Sequence, residues 1–379
     1  SSEGSFVVVF MVKFEETVIN KTLEPFVKEG LNSFLIFDTG STDKTIETVE
    51  NYFKNNNVKN RHIFQEPFVD FSTSRNRALD LAEQMFPQAK FFLMPDAEWY
   101  MHNVKGLINF CNENINDDYK CYLIRILNPN LDFSVPRLIR SKVNARIVNK
   151  VHEVIVTDKY KKLADDIYFE LGASRQGIEK SRQRWERDLK ILLNEYEENP
   201  KDPRIVFYLA QTYECLADFV NAYKYYEIRS KQEGWTEENF ETFYRLGRVT
   251  DYLSTKDKNY SWHMAQDYYF NACKIMPHRA EPFLRLAEHY WPDGASPINV
   301  ALCYTFAKRA YELPYPEKDL LFIDPSAYNF RRYELLSKSA YHVGDFELGE
   351  LATRKALQVK EMPYLLRNLA CYMEMNNKN

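Results

Sequence analysis

The hydrophobic period of this chain changes near residue 175, and that change constrains the fold more than any other feature of the sequence. Before it, short apolar runs alternate with segments of helical spacing; after it, the chain is almost continuously helical. Phe6–Val12 is a β-branched run, Glu16–Lys28 has helical spacing, and Ser33–Phe37 is a second apolar run closed by a turn that contains Gly40. That is a βαβ unit. Lys44–Phe53 reads as a helix, His62–Phe64 as a strand, Ser72–Met85 as a helix and Lys90–Met94 as a buried strand. Such alternation predicts a parallel sheet with helices on both faces. Tyr119–Ile126, Val135–Arg140 and Val151–Val156 read as strands of a mixed extension to it.

From Gln176 onward, Asn199-Pro200 and Asp202-Pro203 mark a helix end and a restart. A degenerate repeat follows, in the register of the roughly 34-residue tetratricopeptide (TPR) pattern. Counting from Pro203, Leu209-Ala210, Tyr213, Ala222 and Tyr226 occupy its positions. Leu246-Gly247 with Ala265, Tyr269, Ala272 and Pro277 form a second unit, Leu286-Ala287 with Tyr290, Ala307 and Ala310 a third, and Leu336, Gly344 and Ala356 a fourth. Small residues recur because paired helices approach closely, and aromatics fill the gaps between hairpins. Leu365–Met373 fits a terminal capping helix. The sequence thus predicts an α/β domain over 1–175 and an all-α helical solenoid over 176–379.

Composition excludes several classes. With 50 Lys+Arg against 54 Asp+Glu, nothing indicates a surface that coats nucleic acid. The longest early apolar run, Phe6–Val12, is far shorter than the roughly 20 residues of a membrane helix, so no transmembrane segment is expected. Six cysteines without C-x-x-C spacing argue against a disulfide scaffold or zinc site and fit a reducing, cytoplasmic compartment.

Two acidic stretches carry the chemistry. Asp38 ends an apolar run and is followed by Thr39-Gly40-Ser41-Thr42-Asp43, a sharp turn that aims a carboxylate at the crevice where α/β sheets bind ligands. Ser41 and Asp43 equally suit capping of the helix that follows. In Asp96-Ala97-Glu98, alternate residues of an extended segment face the same way, so both carboxylates can meet one Mg²⁺ or Mn²⁺ ion and a ribose. Ser72 or Thr73 suits capping of a helix whose first turns bring Arg75 toward phosphate or a nucleobase edge, while Arg77 faces solvent. Transfer to a hydroxyl or thiol needs a base within reach, for which Glu153, with His152 beside it, is preferred over Asp132 on a loop. A structural His152–Glu153 pair is the alternative.

Taken in order, Glu15 after the first strand, the Asp38–Thr45 turn, Asp70–Asn76, Asp96-Ala97-Glu98, Arg137–Arg140, His152-Glu153 and Arg187–Leu193 resemble the family 2 glycosyltransferases of GT-A fold that carry C-terminal tetratricopeptide repeats. The resemblance covers most of the chain. It implies transfer of a hexosyl or N-acetylhexosaminyl group, with inversion, from a nucleotide-diphosphate donor, above all a UDP-sugar. Asp38 would contact the nucleoside, Arg75 the base or diphosphate, and Asp96 the ribose. Glu15, Ala97 and Arg137 would complete the donor site, and Glu98 and Asp96 would hold the metal. The chain departs from the family at Phe14, where Asn is usual, and at Glu170-Leu171-Gly172, where many members have His-x-Gly. Glu170 would then serve as a third metal ligand. The repeats would hold a peptide, protein or saccharide acceptor. Two rivals stand beside this: a helical interaction scaffold whose α/β domain has lost catalysis, and a nucleotidyltransferase, which lacks its Gly-rich phosphate loop here.

Overall fold

The computed structural model describes residues 6–150 and 154–378. Close packing divides the chain into two units, one of residues up to Asn128 with Phe133–Ile191, the other of Pro129–Asp132 with Leu192–Asn379.

The first unit opens with β1 (Phe6–Val12), α1 (Ile19–Lys28), β2 (Ser33–Asp38), α2 (Thr45–Asn55), β3 (Asn60–Gln65), α3 (Phe71–Met85) and β4 (Phe91–Leu93). β1 is apolar throughout because helices cover both faces of the sheet. Phe6, Val8, Phe10 and Val12 pack on one side with Leu23 and Phe26 of α1 and Val49 and Phe53 of α2. Val7 and Val9 pack on the other with Ala78, Leu79 and Ala82 of α3. Each fully buried Phe in these layers contributes on the order of 2 kcal/mol. A one-residue slip of β1 would exchange the two sets.

β2 and β3 lie to one side of β1 and β4 to the other, all parallel. Strand order therefore reverses between β1 and β4, and the crevice beyond the carboxyl ends of these strands is where such sheets bind ligands. The chain continues through β5 (Trp99–His102), α4 (Val104–Glu113), β6 (Cys121–Asn128), β7 (Leu131–Arg140), β8 (Ile147–Val148), β9 (Val154–Ile155), β10 (Lys161–Lys162) and β11 (Tyr168–Leu171). The sheet runs β3-β2-β1-β4-β7-β6-β11-β5, with β10 also on β6. β7 is antiparallel to β4, and β5 to β11, so the extension is mixed. The strand expected at Val151–Val156 differs: β9 pairs only with β8, in a separate ladder. Residues 151–153 lie outside the described residues.

α5 (Arg175–Glu198) follows, and its residues to Ile191 pack with the sheet unit rather than dividing from it at 175/176. The reason is polar contact with the turn after β1: Gln176 Nε2 donates to the Phe14 carbonyl, and Lys180 Nζ to the carboxylate of Glu15.

In the second unit the helices are α6 (Pro203–Cys215), α7 (Phe219–Ser230), α8 (Thr236–Ser254), α9 (Trp262–Ile275), α10 (Glu281–Tyr290), α11 (Val300–Glu312), α12 (Arg332–Ser339), α13 (Phe346–Val359) and α14 (Pro363–Asn377). A π-helical turn, Ala327–Arg331, leads into α12. Starts are chemically marked: Asp202, Asp218, Ser261, Asn299 and Asp345 each accept a backbone N–H of the helix they precede. The hairpins α6–α7, α8–α9, α10–α11 and α12–α13 fall in the repeat register of the sequence, with α14 after the last. Ala210, Ala222, Ala265, Ala287, Ala307 and Ala356 are fully buried. At Gly349 a Cβ would stand 2.1 Å from the Tyr372 ring, whose hydroxyl donates to the Ser337 carbonyl and accepts from the Tyr341 N–H. Gly349→Ala should therefore destabilise the chain by about 1–3 kcal/mol through overpacking, against a gain of about 1 kcal/mol in helix propensity. An undiminished urea midpoint would show that α14 is not seated on α13 in this way.

Candidate functional site

Asp38 ends β2 fully buried. Its Oδ1 accepts from Gly40 N at 2.8 Å, Ser41 N at 2.7 Å and Gln65 Nε2 at 3.0 Å. The turn that allows this needs φ 117° at Gly40, a region closed to most residues. Asp38 Oδ2 is buried with no hydrogen-bond partner. Native structures rarely leave such an atom unsatisfied, because its desolvation costs about 1–3 kcal/mol.

The turn after β2 is laced to the turn after β1. Ser41 Oγ accepts the N–H of Phe14, and Thr45 Oγ1 that of Glu15, both at 2.9 Å. Phe14 is held left-handed, at φ 55°, a conformation that Asn adopts more easily than an aromatic residue. Of the two capping residues, Asp43 receives the Thr45 N–H at 3.0 Å, while Ser41 makes the lacing contact instead.

Beyond β4, Asp96 is clamped by two guanidiniums. Arg75 Nη2 donates to its Oδ1 at 2.7 Å and Arg137 Nη1 to the same oxygen at 3.1 Å, with a second bond from Arg137 to the Met94 carbonyl. Arg137 also stacks 4.6 Å from the Trp99 ring centroid. Burial pushes the Asp96 carboxyl up, but Arg137 and Arg75 outweigh it and hold the group well below the usual aspartate range. Arg75 reaches Asp96 from α3, whose cap is Asp70 rather than Ser72 or Thr73: Asp70 Oδ1 accepts the Thr73 N–H at 2.7 Å. Arg77 bonds Glu66 at the surface, as expected.

Glu98 sits two residues on with φ 66°, another left-handed non-glycine. Its N–H donates to Thr22 Oγ1, and its carboxylate accepts from the Ser174 N–H at 3.1 Å and the Ser174 hydroxyl at 2.9 Å. α5 passes so close to this carboxylate that a Cβ on Gly177 would meet Glu98 Oε2 and the glutamate would have to shift. One helical turn along, Lys180 holds Glu15 at 2.7 Å. Burial raises the Glu15 carboxyl; Lys180 opposes this, while the nearby charges of Glu98 and Asp96 add to it. Arg184, one further turn along α5, in turn helps to lower Asp96. Glu15, Asp96, Glu98, Lys180 and Arg184 therefore share one electrostatic neighbourhood, and hydrogen bonds between turns join Asp38 to it.

The remaining expected residues fall differently. Ala97 lies half-buried between the two acids. Glu170 is exposed and bonded to His102 at 2.8 Å, so its carboxylate is directed along β5 rather than to Glu98. Asp132 belongs to the second unit, where its backbone pairs with Ile323, its carboxylate accepts from Tyr315, and its side chain is buried; a base needs access to its substrate, which Asp132 lacks. His152 and Glu153 lie outside the described residues. Among the described residues, no three His, Cys, Asp or Glu side chains form a group that could hold a metal ion. Mg²⁺-type ions nevertheless bind through one or two carboxylates plus substrate phosphates, a demand that the all-oxygen pair Glu98 and Asp96 fits. Sequence reasoning missed Thr22, Ser174, Gly177, Lys180 and Arg184; a Gly172/Gly177 pair flanking Ser174 was the one signal available.

Asp96→Asn should lower stability by about 3 kcal/mol at neutral pH, because Arg75 is left buried beside a neutral partner. The pH dependence carries a sign. Asp96 is depressed in the folded state, so its contribution is present above the ordinary value of 3.8 and is lost as pH falls through that value toward the folded one. Urea midpoints measured across this acid range should fall less steeply for Asp96→Asn than for the parent chain; parallel curves would contradict the clamp.

No protein-family model matches this chain, and no curated protein matches it. Among solved structures, it is similar to the C-terminal part of a TPR repeat-containing protein from Cytophaga hutchinsonii, with 15% identity over 50% of this chain and 66% of that one and a TM-score of 0.35. It is also similar to a thermophilic TPR protein of Thermus thermophilus, with 19% identity over 52% of this chain and 96% of that one and a TM-score of 0.32. A third similarity is to a mannosyltransferase from Pyrobaculum calidifontis solved with GDP-Man and Mn²⁺, with 13% identity over 71% and 86% of the two chains and a TM-score of 0.39.

Proposed function

We propose that the first unit is a GT-A-type glycosyltransferase, moving a hexosyl or N-acetylhexosaminyl group with inversion from a nucleotide-diphosphate donor, above all a UDP-sugar. The acceptor is a hydroxyl or thiol of a peptide, protein or saccharide, and the second unit, as TPR-like repeats, is its holder. One observation supports this reading: acids stand at or just beyond the carboxyl ends of β1, β2 and β4, the strands among which strand order reverses, and one of them, Asp38, keeps a buried oxygen with no hydrogen-bond partner.

In this reading Asp38 Oδ2 receives an N–H of the base or a ribose hydroxyl. Asp96 meets the ribose, and Arg75 and Arg137 act through it, as positioning residues that keep it ionised. Lys180 and Arg184 supply fixed positive charge beside the acids, where a diphosphate would need it. Glu98 with Asp96 would hold Mn²⁺ or Mg²⁺, and the chemistry such an ion supplies when bound is neutralisation of the leaving diphosphate. The transfer itself is one displacement: the acceptor oxygen or sulfur bonds to the anomeric carbon, the bond to the diphosphate oxygen breaks, the diphosphate leaves with the electron pair, and the acceptor proton goes to a base. Glu153 or His152 is proposed for that base.

Calorimetric titration of the full chain with nucleoside diphosphates and their sugars, with and without Mn²⁺, tests the reading. One nucleotide should bind, better with metal. Asp38→Asn should weaken it about tenfold through loss of a charged hydrogen bond, and Glu98→Ala should abolish the metal effect. Absence of binding by every nucleotide would overturn the enzyme reading and leave the scaffold.

A further inference from the structure

The second unit contains a cavity of about 390 Å³, within the range of small-ligand pockets, that the glycosyl-transfer reading does not use. Its wall carries four arginines, Arg245 and Arg248 from α8, Arg285 from α10 and Arg331 from the π-helical turn, together with Glu241 and Asp324. Taken alone, such a wall suggests a polyanion site. The bonding argues otherwise. Arg245 donates to Glu241 at 2.8 Å and to Glu214 at 3.1 Å, Arg248 also bonds Glu214, Arg331 bonds Glu288 and Asp324, and Arg285 lies 3.7 Å from Glu288. Four guanidiniums thus meet four carboxylates, so the positive charge of this wall is paired within the protein rather than left for a polyanion.

What remains after this pairing is one carboxylate oxygen with no hydrogen-bond partner, in a wall that also carries guanidinium nitrogens not engaged by these pairs. Glu241 is 2% exposed, its Oε1 takes Arg245, and its Oε2 is buried with no hydrogen-bond partner. Burial raises the Glu241 carboxyl against the pull of Arg245 and Arg279, so its charge is incompletely compensated within the protein. On the other side, Arg248 bonds the protein through Nη2 alone, and Arg285 bonds Tyr244 through Nε. With Arg285 Nη1 turned toward Glu288, Arg285 Nη2 and the Nε and Nη1 of Arg248 are the donors left for a carboxylate.

We propose that this cavity binds a zwitterion of the α-amino-acid class, its carboxylate on Arg248 and Arg285 and its ammonium on Glu241 Oε2. All of the residues it uses belong to the second unit.

The probes are the standard L-α-amino acids, added singly at millimolar concentration to the full chain, with acetate, inorganic phosphate and methylamine as single-charge controls. Thermal unfolding and calorimetry read the result. At least one amino acid should raise Tm in a concentration-dependent way that no control reproduces. Arg248→Gln leaves Glu214 with Arg245 and Tyr226, so the fold should survive, and amino-acid affinity should fall about tenfold. Glu241→Gln should also weaken it, with nucleoside diphosphate binding unchanged in both variants. The proposal is overturned if no amino acid stabilises the chain, if acetate or phosphate alone stabilises it as well, or if Arg248→Gln binds as the parent does.

Discussion

A carboxylate held between two guanidiniums organises the first unit. Arg75 comes from α3 and Arg137 from β7, elements on opposite sides of β4 in sequence, and both converge on Asp96 in the loop that follows it. With Arg75 buried and its two partners only partly exposed, the trio depends on each member staying in place, since removing one leaves an uncompensated charge. The trio therefore fixes the direction of the chain as it leaves β4 and delivers Glu98 to the end of α5. There Ser174 grips the glutamate, Gly177 makes room for it, and Lys180 and Gln176 bind the turn after β1. These polar contacts tie three loops and a helix terminus into one object.

Most of the strands and helices were legible in the sequence because they rest on local periodicity. The alternation in β1 between two packed faces and the Asp-Pro restart at α6 are both visible in a short window. What escaped had to be long-range or exact in geometry. The Glu98–Ser174 pair spans 76 residues and the Lys180–Glu15 pair 165, and no spacing rule relates them. That α5 begins as part of the sheet unit follows from these bonds, so a boundary drawn from helical periodicity fell earlier than the packed one. The cap of α3 escaped for a different reason: Asp70, Ser72 and Thr73 all have the right chemistry, and only the backbone angle at Asp70 decides among them. Acids at Asp38, Asp96 and Glu98 stood out because each closes or follows an apolar run, whereas Asp132 and Glu170 carried no such mark.

The second unit is built on a different balance. Its hairpins meet through alanines and glycines, which let tyrosine rings lie against a bare helix backbone, as Tyr269 does at Gly247. Between these dry contacts run buried ion pairs, Arg229 with Glu238 and Arg279 with Glu281, whose members are almost wholly removed from solvent. Such pairs add little net stability over apolar packing of equal volume. Their effect is on register, because a helix displaced by one residue strands a charge.

Glu98 shows what this arrangement entails for change over time. Its backbone occupies a region where a side chain costs roughly 1 kcal/mol or more and where glycine or asparagine is at ease. A substitution to glycine would relieve that strain but lose the side chain that Ser174 holds. The carboxylate's two bonds to Ser174 oppose that change, so the frequency of glycine at residue 98 in a thermostabilising library would weigh backbone ease directly against the hold on the start of α5.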